Sequence, residues 1–480
     1  MFPITTIASY HERLKHEQTS CEATVLFYLN RIQQFRHLNA LVHVFEEEAL
    51  QRAKELDARR RSGEAVGKLH GVVVTIKDVI AYKSHPVSAA SGMLKSFSSL
   101  FDATAIKRLL EEDAIIIGTN NCDEFAMGSS NENSVYGPVK NFLDESRVPG
   151  GSSGGSAVAV QAQLCMISLG SDTGGSVRQP ADFCGIVGMK PTYGRISRHG
   201  LIAYGSSFDQ IGILAQTIED TALVLSVIAG ADDFDSTVSS TPVSNYASDI
   251  KESSESRKVI GYFKETLLHE GLDKEIKETH LEFLKQLKTD GYEVKELSFD
   301  LLDYIVPVYY ILTTAEASSN LSRYDGVRYG HLSIPVKEDL TAFYSANRSE
   351  GFGKEVQRRI MLGTFVLSAG YYDAYFTKAQ QVRRKLYEHS LLIFKEVDTL
   401  LMPVSPSTAF KIGEKNNDPV EMYLADIYTV FANLVGIPAI SIPLFQHSNG
   451  LPFGLQMMGK HFDEVSLLRL AHNWMKQYKA

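Results

Sequence analysis

Lys77 closes the β-branched run VVVTIK, Ser152 lies inside GGSSGGS, and Ser176 ends SDTGGS. Two hydroxyls and an amine can cooperate in amide hydrolysis as a Ser-Ser-Lys relay, with no histidine. A lysine with an ordinary pKa of about 10.4 is a poor base at neutral pH. Burial disfavours its charged form and makes the amine available for proton abstraction. Val72, Val73, Val74, Ile76 and Val79 supply the hydrocarbon for that burial if the strand is central. Taken alone, the segment also fits a lysine reaching to solvent from a strand end.

GGSSGGS sets four glycines around two adjacent serines, which permits backbone geometries that a side chain would resist. It fits a loop that holds one hydroxyl in place, and on its own it also fits a phosphate-cradling nest. A flexible linker is disfavoured, because the apolar AVAVQAQL follows at once. In SDTGGS, the successive N–H groups of Thr173, Gly174, Gly175 and Ser176 can converge on one point as an oxyanion hole. Donors of that kind contribute roughly 3 to 4 kcal/mol each to a transition state. A plain strand-to-helix turn is the competing reading, and Ser153 and Ser171 are alternative reactive serines.

The elements that must position these residues read as α/β. Helical spacing after Thr19 or Ser20 and the charged EEEALQRAKELDARRR predict surface helices over the first sixty-odd residues. GVVVTIK, the helical TAIKRLLEED and AIIIGTN then alternate as strand, helix and strand. Residues 157–164 read as a packed helix and CMISLGS as a buried strand, so the two glycine motifs flank one helix-strand unit. VIGYF, DKEIKETHLEFLKQL and YEVKELSF read as strand, helix and strand, and a long helical region runs from beyond Pro307 to about Glu396. LLMPVSP and AISIPLF return as strands, and a last helix spans about Glu464 to Tyr478. The segment at about 236–256, rich in serine and charge, is the best linker or surface insertion.

Composition narrows the function. The chain has 480 residues, with 48 basic and 57 acidic side chains for a net charge of −9, and no Lys/Arg run long enough for a nucleic-acid stripe. Direct RNA binding is therefore disfavoured. Four cysteines without a CxxC pair read as reduced packing residues. No HExxH and no GxxxxGK(S/T) occurs, which removes the usual support for metal hydrolysis and P-loop ATP chemistry. The N-terminus lacks the apolar core of a signal peptide, so a cytoplasmic chain is expected. Residues 427–444 are uncharged over a length that could suggest a membrane span, but Gly436, Pro438 and Pro443 make helix, turn and strand the better reading.

In this order, the three segments resemble the amidase signature family. Its defining Gly/Ser-rich stretch is matched by Arg147 to Ser156 and continues through DTGGSVRQPADFCGIVGMKPTYGR. The resemblance implies one large domain over 1–480: N-terminal helices to about 65, the core signature over about 66–232, and a remainder that completes the pocket. It also implies a central mixed β-sheet with helices on both faces. By resemblance, Lys77 is the terminal base, Ser152 the middle residue on a cis peptide bond, and Ser176 the acylated nucleophile. Thr173, Gly174 and Gly175 supply the oxyanion hole.

Within the family, EASSNLSRYDGVRYG, FGKEVQRRIMLGTFVLSAGYYDAYF and MYLADIYT are similar to the glutaminase subunits of tRNA-dependent amidotransferases. An amino-acid amide carries a carboxylate and an ammonium, so a selective pocket needs one fixed cation and one fixed anion. The resemblance assigns Arg359 and Asp426 to those roles and Tyr310 to the pocket wall, with Arg358 and Tyr309 as alternates. It implies glutamine as substrate and a heterotrimer with B and C subunits. Glu-tRNA(Gln), ATP and magnesium are then handled mainly by the partner, with no cofactor or metal in this chain and no membrane association. A free-standing amidase of the same family is the alternative. Three places depart from the family's usual text: Asn141-Phe142 where Asn-Pro is expected, KDV in place of KDN after the base, and GIL after DQI.

Overall fold

The β-branched and apolar runs assemble into one sheet. The computed structural model describes residues 6–252, 258–335, 339–415 and 425–479. Its strands are β1 (Leu41–Val44), β2 (Val73–Lys77), β3 (Ile115–Asn120), β4 (Ile167–Asp172), β5 (Val187–Lys190), β6 (Gln210–Ala215), β7 (Val259–Phe263), β8 (Glu293–Leu297), β9 (Thr399–Pro403), β10 (Ala439–Gln446) and β11 (Pro452–Met458). They pair in the order β1-β3-β2-β4-β6-β5-β10-β11-β9-β7-β8 as an 11-stranded mixed sheet. β2 runs parallel to β3 and β4, and β7 runs parallel to β8 and β9; the other neighbours are antiparallel.

Every residue of β2, β3 and β4 is buried, the pattern expected of parallel strands covered on both faces. Because β2 and β4 are parallel neighbours, with Ile76 opposite Leu169, Lys77 and the turn after Asp172 emerge at the same end of the sheet. Sites in open α/β sheets form outside the carboxyl ends of such strands.

The helix between the glycine motifs spans Gly154–Gln161, starting at the glycines rather than after them. Its Gly155 N–H donates to Asn131 Oδ1 at 2.9 Å, which satisfies a first-turn donor from outside the helix. A Cβ on Gly155 would stand 2.3 Å from the Asn121 carbonyl oxygen, so the helix approaches β3's continuation as only glycine allows.

Two further expectations gain detail. The N-terminal region contains β1 besides its helices; four residues at a sheet edge leave too short a pattern to read. The long helical region ends at Glu396 as expected and is built as a set of helices, among them Leu302–Asn320, which carries Pro307 within it, then Leu340–Gly351, Lys354–Val366 and Lys378–Glu396. The serine-rich segment is described to residue 252, and 253–257 lie outside the described residues. Tyr246 and Ile250 within it are buried in the main core, which ties that part to the body. Residues 422–424 of MYLADIYT also lie outside. Between 427 and 444 the chain forms the helix Val430–Val435, a left-handed Gly436 at φ 77°, and β10. Among the described residues, no helix is long and apolar enough to cross a membrane.

Candidate active site

Lys77 is fully buried. Its Nζ lies 2.7 Å from Ser152 Oγ, 3.0 Å from Ser153 Oγ and 2.9 Å from Ser171 Oγ. Three hydroxyls match the three donors of an ammonium, or the two donors and one lone pair of a neutral amine. Among the described residues, no carboxylate reaches ion-pair distance of Lys77. Burial lowers its pKa to about 8, with the more distant Asp123, Asp172 and Asp209 pulling the other way. The amine therefore reaches balance between its charged and neutral forms near pH 8, with far more of the neutral form at neutral pH than an ordinary lysine has.

Ser152 follows a cis Gly151-Ser152 peptide. Its carbonyl accepts the Asp123 N–H at 3.2 Å, and the next N–H, of Ser153, donates to the Ser176 carbonyl at 3.2 Å. The loop carrying Ser152 is thus pinned to the segment after β3 on one side and to the backbone of Ser176 on the other. Gly151 is required by crowding, since a Cβ there would meet Asp123 Oδ2 at 2.2 Å. Ser176 is half-buried, and its hydroxyl makes no hydrogen bond among the described residues, so it is open to a ligand.

The turn carrying Ser176 is organised by Asp172 and Arg178, an acid-base pair flanking TGGS that no sequence signal had marked. Asp172 accepts from Gly175 N at 2.9 Å and Val177 N at 3.2 Å. Arg178 Nε and Nη2 donate to its two oxygens at 3.1 and 3.0 Å. Arg178, fully buried, also donates to the Thr429 carbonyl at 2.9 Å, to Asn433 Oδ1 at 2.6 Å and to Gln456 Oε1. Burial alone would raise the Asp172 pKa, but the charge and hydrogen bonds of Arg178 outweigh it and hold the group at about 2.

This arrangement commits one of the three expected oxyanion donors. Gly175 N–H is committed to Asp172, whereas the N–H groups of Gly174 and Ser176 donate to no group among the described residues. Thr173 is anchored through its hydroxyl to Asp209 at 2.6 Å. Gly175 has φ +128°, and a Cβ there would stand 2.2 Å from Thr429 Oγ1.

Tyr310 joins the two expected charges. Its hydroxyl donates to Asp426 Oδ2 at 2.9 Å, and its ring lies under the Arg359 guanidinium at 5.3 Å. Arg359 is 3% exposed, bonds Glu355 Oε1 at 2.9 Å and Tyr204 Oη at 2.8 Å, and also covers the Tyr204 ring. Arg358 instead faces solvent beside Glu355, so the helix Lys354–Val366 turns Arg359 inward. Tyr309 packs its ring against Gly174, which brings both tyrosines to the site. Ser129 Oγ contacts both Asp426 oxygens at 2.9 and 3.0 Å; nothing in its sequence context had marked it. Burial raises Asp426 to about 6 against the pull of Tyr310, Ser129 and Arg359.

The departures near these groups are accommodated. Asp78 accepts the N–H groups of Ser88 and Ala90, each at 3.0 Å, which anchors the loop after Lys77, and Val79 is buried beside it. Asn141 donates to the Phe183 carbonyl at 3.0 Å while Phe142 packs edge-on to Phe35. GIL lies within β6. Among the described residues, no group of three or more His, Cys, Asp or Glu side chains could hold a metal ion.

Residues 23–468 match the family model described as Amidase. The chain is 52% identical over 454 residues to the A subunit of glutamyl-tRNA(Gln) amidotransferase from Chlorobium phaeobacteroides, with 95% of each chain covered. It is 51% identical to the A subunit from Chlorobaculum tepidum, covering 96% of this chain and 95% of the relative. Among solved structures, the glutamyl-tRNA(Gln) amidotransferase A subunit from Thermotoga maritima superposes with TM-score 0.79 at 40% identity, covering 95% of this chain and 91% of that one. The peptide amidase of Stenotrophomonas maltophilia gives TM-score 0.82 at 28% identity, covering 100% and 98%. The chain belongs to the amidase family.

Proposed function

We propose that this chain is the glutaminase subunit of an aminoacyl-tRNA amidotransferase, releasing ammonia that serves to convert Glu-tRNA(Gln) to Gln-tRNA(Gln). The observation that carries the hydrolytic part is the buried Lys77 amine at 2.7 Å from Ser152, on a loop bonded to the backbone of Ser176. Ser176 Oγ attacks the carboxamide carbon of glutamine as its proton passes through Ser152 to neutral Lys77. The C–N bond breaks, ammonia leaves with a proton returned along the relay, and water then cleaves the Ser176 ester to give glutamate. Gly174 and Ser176 N–H groups stabilise the developing oxyanion.

Glutamine is selected by its head group. Arg359 meets the α-carboxylate and Asp426 the α-ammonium, with Tyr310 fixing both. A simple neutral amide gains nothing from that pair, which favours glutamine over the substrate of a free-standing amidase. The relatives named as A subunits of glutamyl-tRNA(Gln) amidotransferase support the same reading. In it, the chain works in the cytoplasm as part of a heterotrimer with B and C subunits, which supply tRNA contact, ATP and magnesium.

The test measures ammonia release from glutamine by the chain alone and with co-purified partners, Glu-tRNA(Gln), ATP and magnesium. Slow release that rises on assembly supports the proposal. Fast, partner-independent hydrolysis with no preference for glutamine over a small neutral amide contradicts it.

A further inference from the structure

Gln179 lies one turn beyond Ser176 and is 1% exposed. Both ends of its side chain are engaged. Oε1 accepts the N–H of Gly151, the residue before Ser152, at 2.9 Å, and Nε2 donates to the Ser129 carbonyl at 3.0 Å. Only this orientation of the amide gives each end a partner of the right kind. The Ser129 hydroxyl in turn holds both oxygens of Asp426. Gly150 closes around the brace: its φ is +82°, and a Cβ there would meet Gln179 Oε1 at 2.8 Å.

We propose that Gln179 is a positioning residue that ties the loop carrying Ser152 to the wall holding Asp426, so that one buried amide sets the spacing between the proton relay and the substrate's head group. This rests on the relay and pocket reading given above. An amide fixed at both ends transmits displacement, since a buried donor or acceptor that loses its partner costs more than the bond itself contributes. Misplacing a catalytic group by about 1 Å can cost roughly 100-fold in rate.

Gln179→Glu tests the brace with little change of shape. The carboxylate still accepts from Gly151, but it sets a second acceptor against the Ser129 carbonyl. Protonation restores a donor at that end. On the full chain, two quantities are measured from pH 6 to 8.5: the rate of Ser176 modification by a fluorophosphonate, followed by mass spectrometry, and KM for glutamine. At pH 8, Gln179→Glu is expected to slow modification at least tenfold and to raise KM at least fivefold. Its rate relative to the parent chain should climb as pH falls. Gln179→Met, which cannot hydrogen-bond at either end, should show both losses without the recovery.

A Gln179→Glu variant that moves only one of the two quantities overturns the brace. So does a relative rate that is flat or climbs with pH, the direction expected if the new charge merely raised the Lys77 pKa. Lys77→Ala separates the two readings. If it abolishes modification while both Gln179 variants behave as the parent, the relay stands and the brace is wrong; if it leaves modification intact, the relay itself fails and the brace has nothing to position.

Discussion

Lys77 Nζ and Ser152 Oγ are 2.7 Å apart at the carboxyl end of β2, in a pocket where Lys77 has hydroxyl partners and no ion-pair partner among the described residues. A buried ammonium is ordinarily paired with a carboxylate, because an unpaired charge is expensive to remove from water. Three hydroxyls solvate the amine without stabilising its charge as strongly, and the lowered pKa follows.

Lys77→Arg separates a base from a mere cation. Guanidinium stays protonated throughout the accessible pH range, so glutamine hydrolysis should fall by about a thousandfold or more, within the range general-base removal produces. Steady-state ammonia release is the measurement. Substantial activity in Lys77→Arg would show that the positive charge alone suffices.

Asp426→Asn removes the anion while keeping the shape. Losing a charge-assisted hydrogen bond of about 1.5 to 3 kcal/mol should raise KM for glutamine roughly 10- to 100-fold. In the parent chain, Asp426 protonates as pH falls through about 6, so KM should rise below that pH. Initial-rate kinetics should show that rise absent from the variant, and an unchanged KM would contradict the pocket assignment.

Arg178→Met leaves Asp172 buried without its cation. Removing one member of a buried pair typically costs 3 to 5 kcal/mol, a loss of that order being expected in denaturant melts. The sign with pH follows from the Asp172 pKa of about 2, below the ordinary 3.8. Its contribution is present above the unfolded value and lost as pH falls toward 2, so the gap between the parent and Arg178→Met should narrow in acid. A gap independent of pH would mean that the pair contributes by packing alone.

Gly175→Ala combines a positive φ with a Cβ 2.2 Å from Thr429 Oγ1. Backbone strain alone is worth about 1 to 3 kcal/mol, and the turn carrying Ser176 must shift. Thermal melting and kcat should both fall; a variant with parental kcat would show that the turn tolerates displacement.

The reach of the sequence follows from where each signal lies. VVVTIK and AIIIGTN announce buried strands because nearly every position before their last residue is apolar or β-branched, and Lys77 stands out against that background. Arg359 could not be separated from Arg358 by pattern, since which of two adjacent residues turns inward depends on how the helix Lys354–Val366 packs on Tyr204 and Tyr310. Ser129 and Gln179 were illegible for a different reason: their importance lies in partners distant along the chain, Asp426 and Ser129 respectively. TGGS presents Gly175 as an oxyanion donor, but Asp172 takes its N–H from three residues away, the local bond that an aspartate makes in a turn.

In the proposed mechanism a neutral, buried amine draws a proton from Ser176 through Ser152, and the pH dependence of Ser176 modification measures that step without requiring partner subunits or tRNA. The rate of fluorophosphonate labelling, with the site assigned by mass spectrometry, should rise with pH along a curve centred near 8, where Lys77 loses its proton. It should collapse in Lys77→Ala at every pH. Labelling at another residue, or a Ser176 rate that is flat with pH and indifferent to Lys77, would contradict it.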